Sequence, residues 1–152
     1  MTSISSAELQ RLLDDRDIVA VATAYTWALD QHRWDGLRDV FTDDATATLG
    51  NPDRLVGIDA IIGRIRAALE RLDDSQHLVG NHEVVVSGDT ATHRCYLHAQ
   101  HIRHGANGGP HYIVAGRYED EMTRTGDGWR ITHRNLQVMW TRGNTAVVRG
   151  DQ

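Results

Sequence analysis

Tyr25, Asp30, His77 and Arg134 are the residues of this chain whose types best suit acid–base chemistry. A histidine takes up a proton near neutral pH, and a carboxylate can orient it. A phenol and a guanidinium donate hydrogen bonds to an oxygen that is gaining negative charge. Tyr25 and Asp30 stand in the helical segment ATAYTWALDQHRW, His77 opens a strand-like run, and Arg134 lies in the last such run, WRITHRNLQVMW, so only folding brings the four together. Three of them also have an ordinary structural reading. Tyr25 falls on an apolar stripe, where a core aromatic with a satisfied hydroxyl is common. Asp30 ends its helix at the negative end of the helix dipole, at a cost of about 0.3–1 kcal/mol, which suggests a task other than helix stability; the plain reading is an exposed aspartate. Arg134 needs an anion or an oxygen-rich partner if buried, and a structural pair with a core acid would supply one as well as a ligand would. Five residues separate Tyr25 from Asp30, about 140° around an ideal helix, so both reach one cavity only if the helix lies along its mouth and frays near Asp30.

The elements that must position these residues divide the chain in two. Ser5 or Ser6 can cap a helix before AELQRLL, and Ile18, Val21, Ala22, Tyr25, Ala28 and Leu29 recur at three- and four-residue intervals behind it. A short helix is expected over about 34–41 and a third over about 58–72, the latter carrying Ile58, Ile61, Ile62, Ile65 and Leu69; ATATLG between them suits a short strand. After Asp73 the period becomes two, with strand runs at about 77–86, 90–103, 112–124 and 129–142. The separators SGDT, GANGGP and TGDG hold the Gly, Asn and Asp that hairpin turns require, so these strands should pair antiparallel. Helices followed by strands describe an α+β domain with the helices against one face of a curved sheet. The core is expected over about 9–142 within a single domain spanning 1–152, with a loose tail after Arg142.

In the last run the early apolar residues Trp129 and Ile131 are odd-numbered, whereas Arg134, Leu136, Val138 and Trp140 are even. The buried face must therefore switch near His133, as one extra residue in a β-bulge would make it do. Arg134 would then share a concave face with Leu136, Val138 and Trp140.

Composition removes several function classes. The chain has 152 residues, 40% of them hydrophobic and only two of them proline, enough for one packed core. A net charge of −5 with dispersed arginines gives no basic face for nucleic acid. The N-terminal segment has no apolar stretch of signal-peptide type, and no apolar run approaches the roughly 20 residues of a membrane helix, so a cytoplasmic protein is expected. The one cysteine, Cys95, reads as a packed residue. His98, His101 and His104 alternate across a strand, His101 facing opposite to the other two, and no HxH or HExxH segment supplies convergent ligands, so no metal is expected. The glycines of GANGGP precede no helix, and no serine sits in a GxSxG elbow, which argues against dinucleotide binding and serine hydrolysis.

The segments YTWALD with RWDGLRDVFTDDA, then QHLVGN, then GRYEDEMTRTGDGWRITHRN resemble the SnoaL-like branch of the nuclear-transport-factor-2-like superfamily over about 9–142. Scytalone dehydratase, bile-acid dehydratase and hexachlorocyclohexane dehydrochlorinase are among its members. The GRY…GDGWRI…R pattern is the most specific part; WDGLRDVFTDDA alone marks only the wider superfamily. The resemblance implies a cone of curved, mostly antiparallel mixed sheet closed by three helices around an apolar pocket. It also implies a dyad of Asp30 and His77, a further active-site arginine at Arg134, and Tyr25 as in the bile-acid enzyme. A polar residue from mid-sheet is also implied. His98 and His101 both qualify, and an inward Cys95, Leu97 and Ala99 would select His101. Trp27, Leu136, Val138 and Trp140 are the expected substrate-binding residues.

The expected activity is that of a cofactor-independent, dehydratase-type lyase, in which His77, oriented by Asp30, abstracts a proton and a hydroxyl then leaves. The expected substrate is a small, largely apolar alicyclic, steroid-like or polyketide-like molecule. An isomerase or cyclase would use the same dyad, and a ligand-binding module would keep it only as a polar pair. The resemblance further implies a homo-oligomer, a trimer before a dimer, in which apolar outward positions such as Ile113 and Ala115 make the outer sheet face the contact.

Overall fold

The computed structural model describes residues 3–150. Helix α1 (Ser6–Asp30) begins with a capping box: the Ser5 hydroxyl accepts from the Glu8 amide while the Glu8 carboxylate accepts from the Ser5 amide. Its buried positions, Ile18, Ala22, Tyr25, Ala28 and Leu29, follow the helical repeat and lie over the sheet. A 3-10 helix (Trp34–Asp39) leads into strand β1 (Phe41–Leu49), which hairpins with β2 (Arg54–Val56). The second helical run is thus shorter than expected, because Phe41 already pairs with Ile131 as the first residue of a strand. Helix α2 (Ile58–Leu69) buries Ile58, Ile61, Ile65 and Leu69, and ends three residues before the expected boundary.

Four long strands follow: β3 (Asp74–Ser87), β4 (Thr90–Ile102), β5 (His111–Thr125) and β6 (Gly128–Gly143). They pair antiparallel in sequence order, and β1 joins β6 in parallel, giving a mixed six-stranded sheet of order β2-β1-β6-β5-β4-β3. The fold is α+β, a curved sheet that does not close on itself, with the helices against its inner face. Gly88 and Gly128 turn two of the hairpins at positive φ, 62° and 103°, where a side chain would be strained.

Strand β6 carries two irregularities. Thr132 is the extra residue between the pairs Ile131–Met122 and His133–Glu121, the expected switch of face. Met139 is a second, between Val138–Gly116 and Trp140–Ala115, and it reverses the face once more. The tail, expected to be loose, forms a short helix α3 (Ala146–Arg149) whose Val147 is fully buried. An apolar residue seated in the core holds it.

Candidate active site

Asp30 is the last residue of α1, with no basic side chain in that turn to offset the dipole. The compensation comes from β3. Asp30 Oδ1 accepts from Ser75 Oγ at 2.8 Å and lies 2.6 Å from His77 Nδ1, while Oδ2 accepts from the His77 amide at 2.9 Å. Burial alone would raise the Asp30 pKa, but these hydrogen bonds outweigh it and hold the carboxyl below its ordinary value. An ionised Asp30 requires the proton on His77 Nδ1, which leaves Nε2 as the ring nitrogen without a hydrogen-bond partner among the described residues.

His77 pairs with Ala99 and Ala99 with Val114, a row on the inner face of the sheet. An apolar cavity of about 130 Å³ opens there, lined from the sheet by His77, His101, Leu97, Tyr118 and Leu136, from α1 by Tyr25 and Leu29, and from α2 by Ile65 and Ala68. His101 is buried, its ring edge-on to that of His77 at 5.3 Å. Its Nδ1 donates to the Tyr112 carbonyl at 3.2 Å, which leaves Nε2 as an acceptor. Burial, reinforced by the neighbouring His77, lowers its pKa to about 4, so His101 is neutral at pH 7. On the far side of the dyad lies a wider groove of about 650 Å³, bordered by Thr23, Trp27, Asp30, His77 and Gln100. Asp30 borders this groove and not the apolar cavity, whereas His77 lines both.

The remaining sequence-predicted residues divide. Tyr25 is buried in the cavity wall, and burial raises its pKa, so it stays a hydrogen-bond donor at neutral pH. Arg134 is 0% exposed but does not line the cavity. It sits behind Tyr25 and Tyr118, its Cζ 4.3 Å and 4.0 Å from their ring centroids, and clasps Asp120 through two 2.7 Å hydrogen bonds from Nε and Nη2. Its partner is the core acid of the structural reading. Burial raises the Asp120 pKa, but the Arg134 charge overcomes it and keeps the carboxyl low. Trp27, 55% exposed, borders the outer groove instead of the cavity. Val138 is on the inner face, paired with Gly116, but only Leu136 of the β6 group reaches the cavity wall. Trp140, expected on the concave face, is on the opposite one: the Met139 bulge pairs it with Ala115 and sets its ring 5.8 Å from that of His98. One bulge was legible in the alternation; the second follows no break in it.

Ser75, Tyr118 and Asp120 belong to this arrangement and were not singled out from sequence. The two-residue period offered a signal, since Ser75 shares a strand face with His77, and Tyr118 and Asp120 share one in GRYEDEM. Cys95 is buried, which pushes its thiol up to about 11.

The model of the SnoaL-like domain matches residues 10–135 of the chain. The chain belongs to the SnoaL-like family. An uncharacterized protein of Mycobacterium tuberculosis is 32% identical to it over 135 residues, 86% of this chain and 88% of that one. A solved structure from Kribbella flavida superimposes with a TM-score of 0.83 at 26% identity, covering 92% of this chain and 99% of that one. The SnoaL-like fold is shared with a scytalone-dehydratase-like protein of Novosphingobium aromaticivorans, TM-score 0.80 at 22% identity, covering 88% and 89%. A hexachlorocyclohexane dehydrochlorinase also has it, TM-score 0.79 at 17% identity, covering 90% and 93%. These likenesses to solved structures establish the fold.

Proposed function

We propose that the protein is a cofactor-independent lyase of dehydratase type, with His77 as the base and Asp30 as its orienter. The observation that carries this reading is the His77–Asp30 contact at 2.6 Å, with the His77 ring in the wall of an apolar cavity. A ligand-binding module has no need of such a dyad, whereas proton abstraction beside a carbonyl needs a neutral imidazole of fixed tautomer in a dry site. His77 Nε2 takes the proton from carbon. The electron pair forms the new double bond as the hydroxyl on the adjacent carbon departs, protonated by the same imidazolium. Tyr25 donates to the oxygen that gains charge during abstraction, and the neutral His101 accepts a hydrogen bond from a substrate hydroxyl. Arg134 acts through Tyr25, as a cation packed on its ring and locked by Asp120. A positioned base supplies typically about 10²–10⁴-fold, so Tyr25 and the water-poor cavity must supply the rest.

Cavities that hold drug-sized ligands run to about 300–1,000 Å³. A cavity of about 130 Å³ favours a substrate built on one small ring, and a steroid-sized molecule would require α2 to move outward. The test uses small cyclic β-hydroxy ketones in D₂O. Water loss followed by mass spectrometry reports elimination, and a rearranged isomeric product formed without water loss would assign the site to an isomerase instead. Turnover that persists in His77→Ala would refute the mechanism.

A further inference from the structure

Away from the dyad, a ring nitrogen of His82, a ring nitrogen of His93 and the Sγ of Cys95 lie within 4.8 Å of one another. His93 Nδ1 is 2.9 Å from Asp120 Oδ2, so its ligand nitrogen is Nε2, and this atom faces His82 Nδ1 at 3.0 Å. We propose that His82, His93 and Cys95 bind a divalent transition-metal ion of the zinc class, with solvent in the fourth position.

Geometry supports the assignment. Two nitrogens on one tetrahedral ion, each about 2.0–2.1 Å from it, are roughly 3.3 Å apart, close to the existing His82–His93 separation. His93 and Cys95 are two apart on β4 and both buried on its inner face, so their side chains converge without any distortion of the strand. His82 comes from the edge strand β3, where the register slips between Gly80 and Glu83 and Asn81 takes φ 54°. That irregularity turns the half-buried His82 toward His93, and it leaves the ion a route from solvent.

The surroundings also fit. Asp120 on His93 Nδ1 is the carboxylate–histidine arrangement that fixes the tautomer and raises the basicity of a ligating imidazole. Arg134 closes the Asp120 charge, so the ion would meet a neutral pair behind one thiolate and two neutral imidazoles. One soft and two borderline ligands select the zinc class over magnesium or calcium. Binding replaces the His82–His93 hydrogen bond, and the Cys95 thiol proton passes to solvent. The ion would tie the irregular edge of β3 to β4.

Zinc and cobalt titrations of the full-length, metal-free chain test this. One equivalent of Co²⁺ should produce a thiolate-to-cobalt charge-transfer band, and one equivalent of Zn²⁺ should displace it and raise the unfolding temperature. Cys95→Ser should abolish the band, and His82→Asn should weaken binding by at least about tenfold. No band at one equivalent overturns the site, as does a band and affinity unchanged in His82→Asn. That variant changes a half-buried residue and serves even if Cys95→Ser does not fold.

Discussion

At the residue scale, Asp30 ends a helix where its charge is unwelcome and recovers stability from three hydrogen bonds donated by β3. A structural acid and a catalytic orienter would both be held in this way, and a double-mutant cycle separates them. His77→Ala and Asp30→Asn should each reduce turnover by about 10²–10⁴-fold with the fold intact, and the double mutant should lose little beyond His77→Ala. Multiplying losses, measured as kcat/KM, would mean that the two act independently.

His101 gives a second prediction at this scale. Its folded pKa of about 4 lies below the ordinary histidine value of 6.5, so the unfolded chain binds the extra proton between them. Stability contributed by the neutral form is therefore complete above the unfolded pKa and is lost as pH falls from about 6.5 toward 4, by at most about 1.4 kcal/mol per pH unit. His82, also lowered by burial, adds to the trend in the same direction. Between pH 7 and pH 5 we expect urea unfolding to show a loss on the order of 1–2 kcal/mol. His101→Gln should remove most of that loss, and an unchanged pH slope in the variant would refute the assignment.

At the scale of elements, the bulges in β6 decide which side chains the cavity receives. Thr132 turns Arg134 and Leu136 inward, and Met139 sends Trp140 out. The second bulge rests on Gly116, whose added Cβ would collide with the Gln137 carbonyl oxygen. Gly116→Ala must push β5 away from β6 or erase the bulge. We expect a loss of about 1–3 kcal/mol and a drop in melting temperature of roughly 3–10 °C, read by thermal unfolding. A variant as stable as the parent would show that the bulge is not under this constraint. The N-terminal half of α1 is tied down separately: Asp14 accepts from both Arg124 and the Trp129 indole, which holds its pKa at about 2.

At the scale of the molecule, no helix among the described residues is long and apolar enough to cross a membrane. The outer sheet face nevertheless carries exposed Leu78, Tyr96, Met139 and Trp140 around Ala115. We expect this face to meet other copies of the chain, as a trimer or else a dimer, because a contiguous apolar patch is rarely left to water. Light scattering across micromolar concentrations should give a multiple of the 17.0 kDa chain mass, and Trp140→Glu should reduce it. A monomer mass throughout would refute this.

The sequence by itself determined the periodicities: the helical stripes of α1 and α2, the four alternating strands, their hairpin turns, and the break in alternation that turns Arg134 inward. These are local properties, fixed by backbone geometry and by which face meets water. It also marked Asp30 and His77 as residues of suitable type, Asp30 through its awkward place at a helix end. Tertiary structure alone decided what each side chain meets. The parallel pairing of β1 with β6, the Met139 bulge that removes Trp140 from the cavity, and the burial of Arg134 against Asp120 all depend on contacts between residues distant in sequence. Short-range patterns carry no record of such contacts. A buried guanidinium announces that it needs an anion, but whether that anion is a ligand or Asp120 is settled only when β5 lies beside β6.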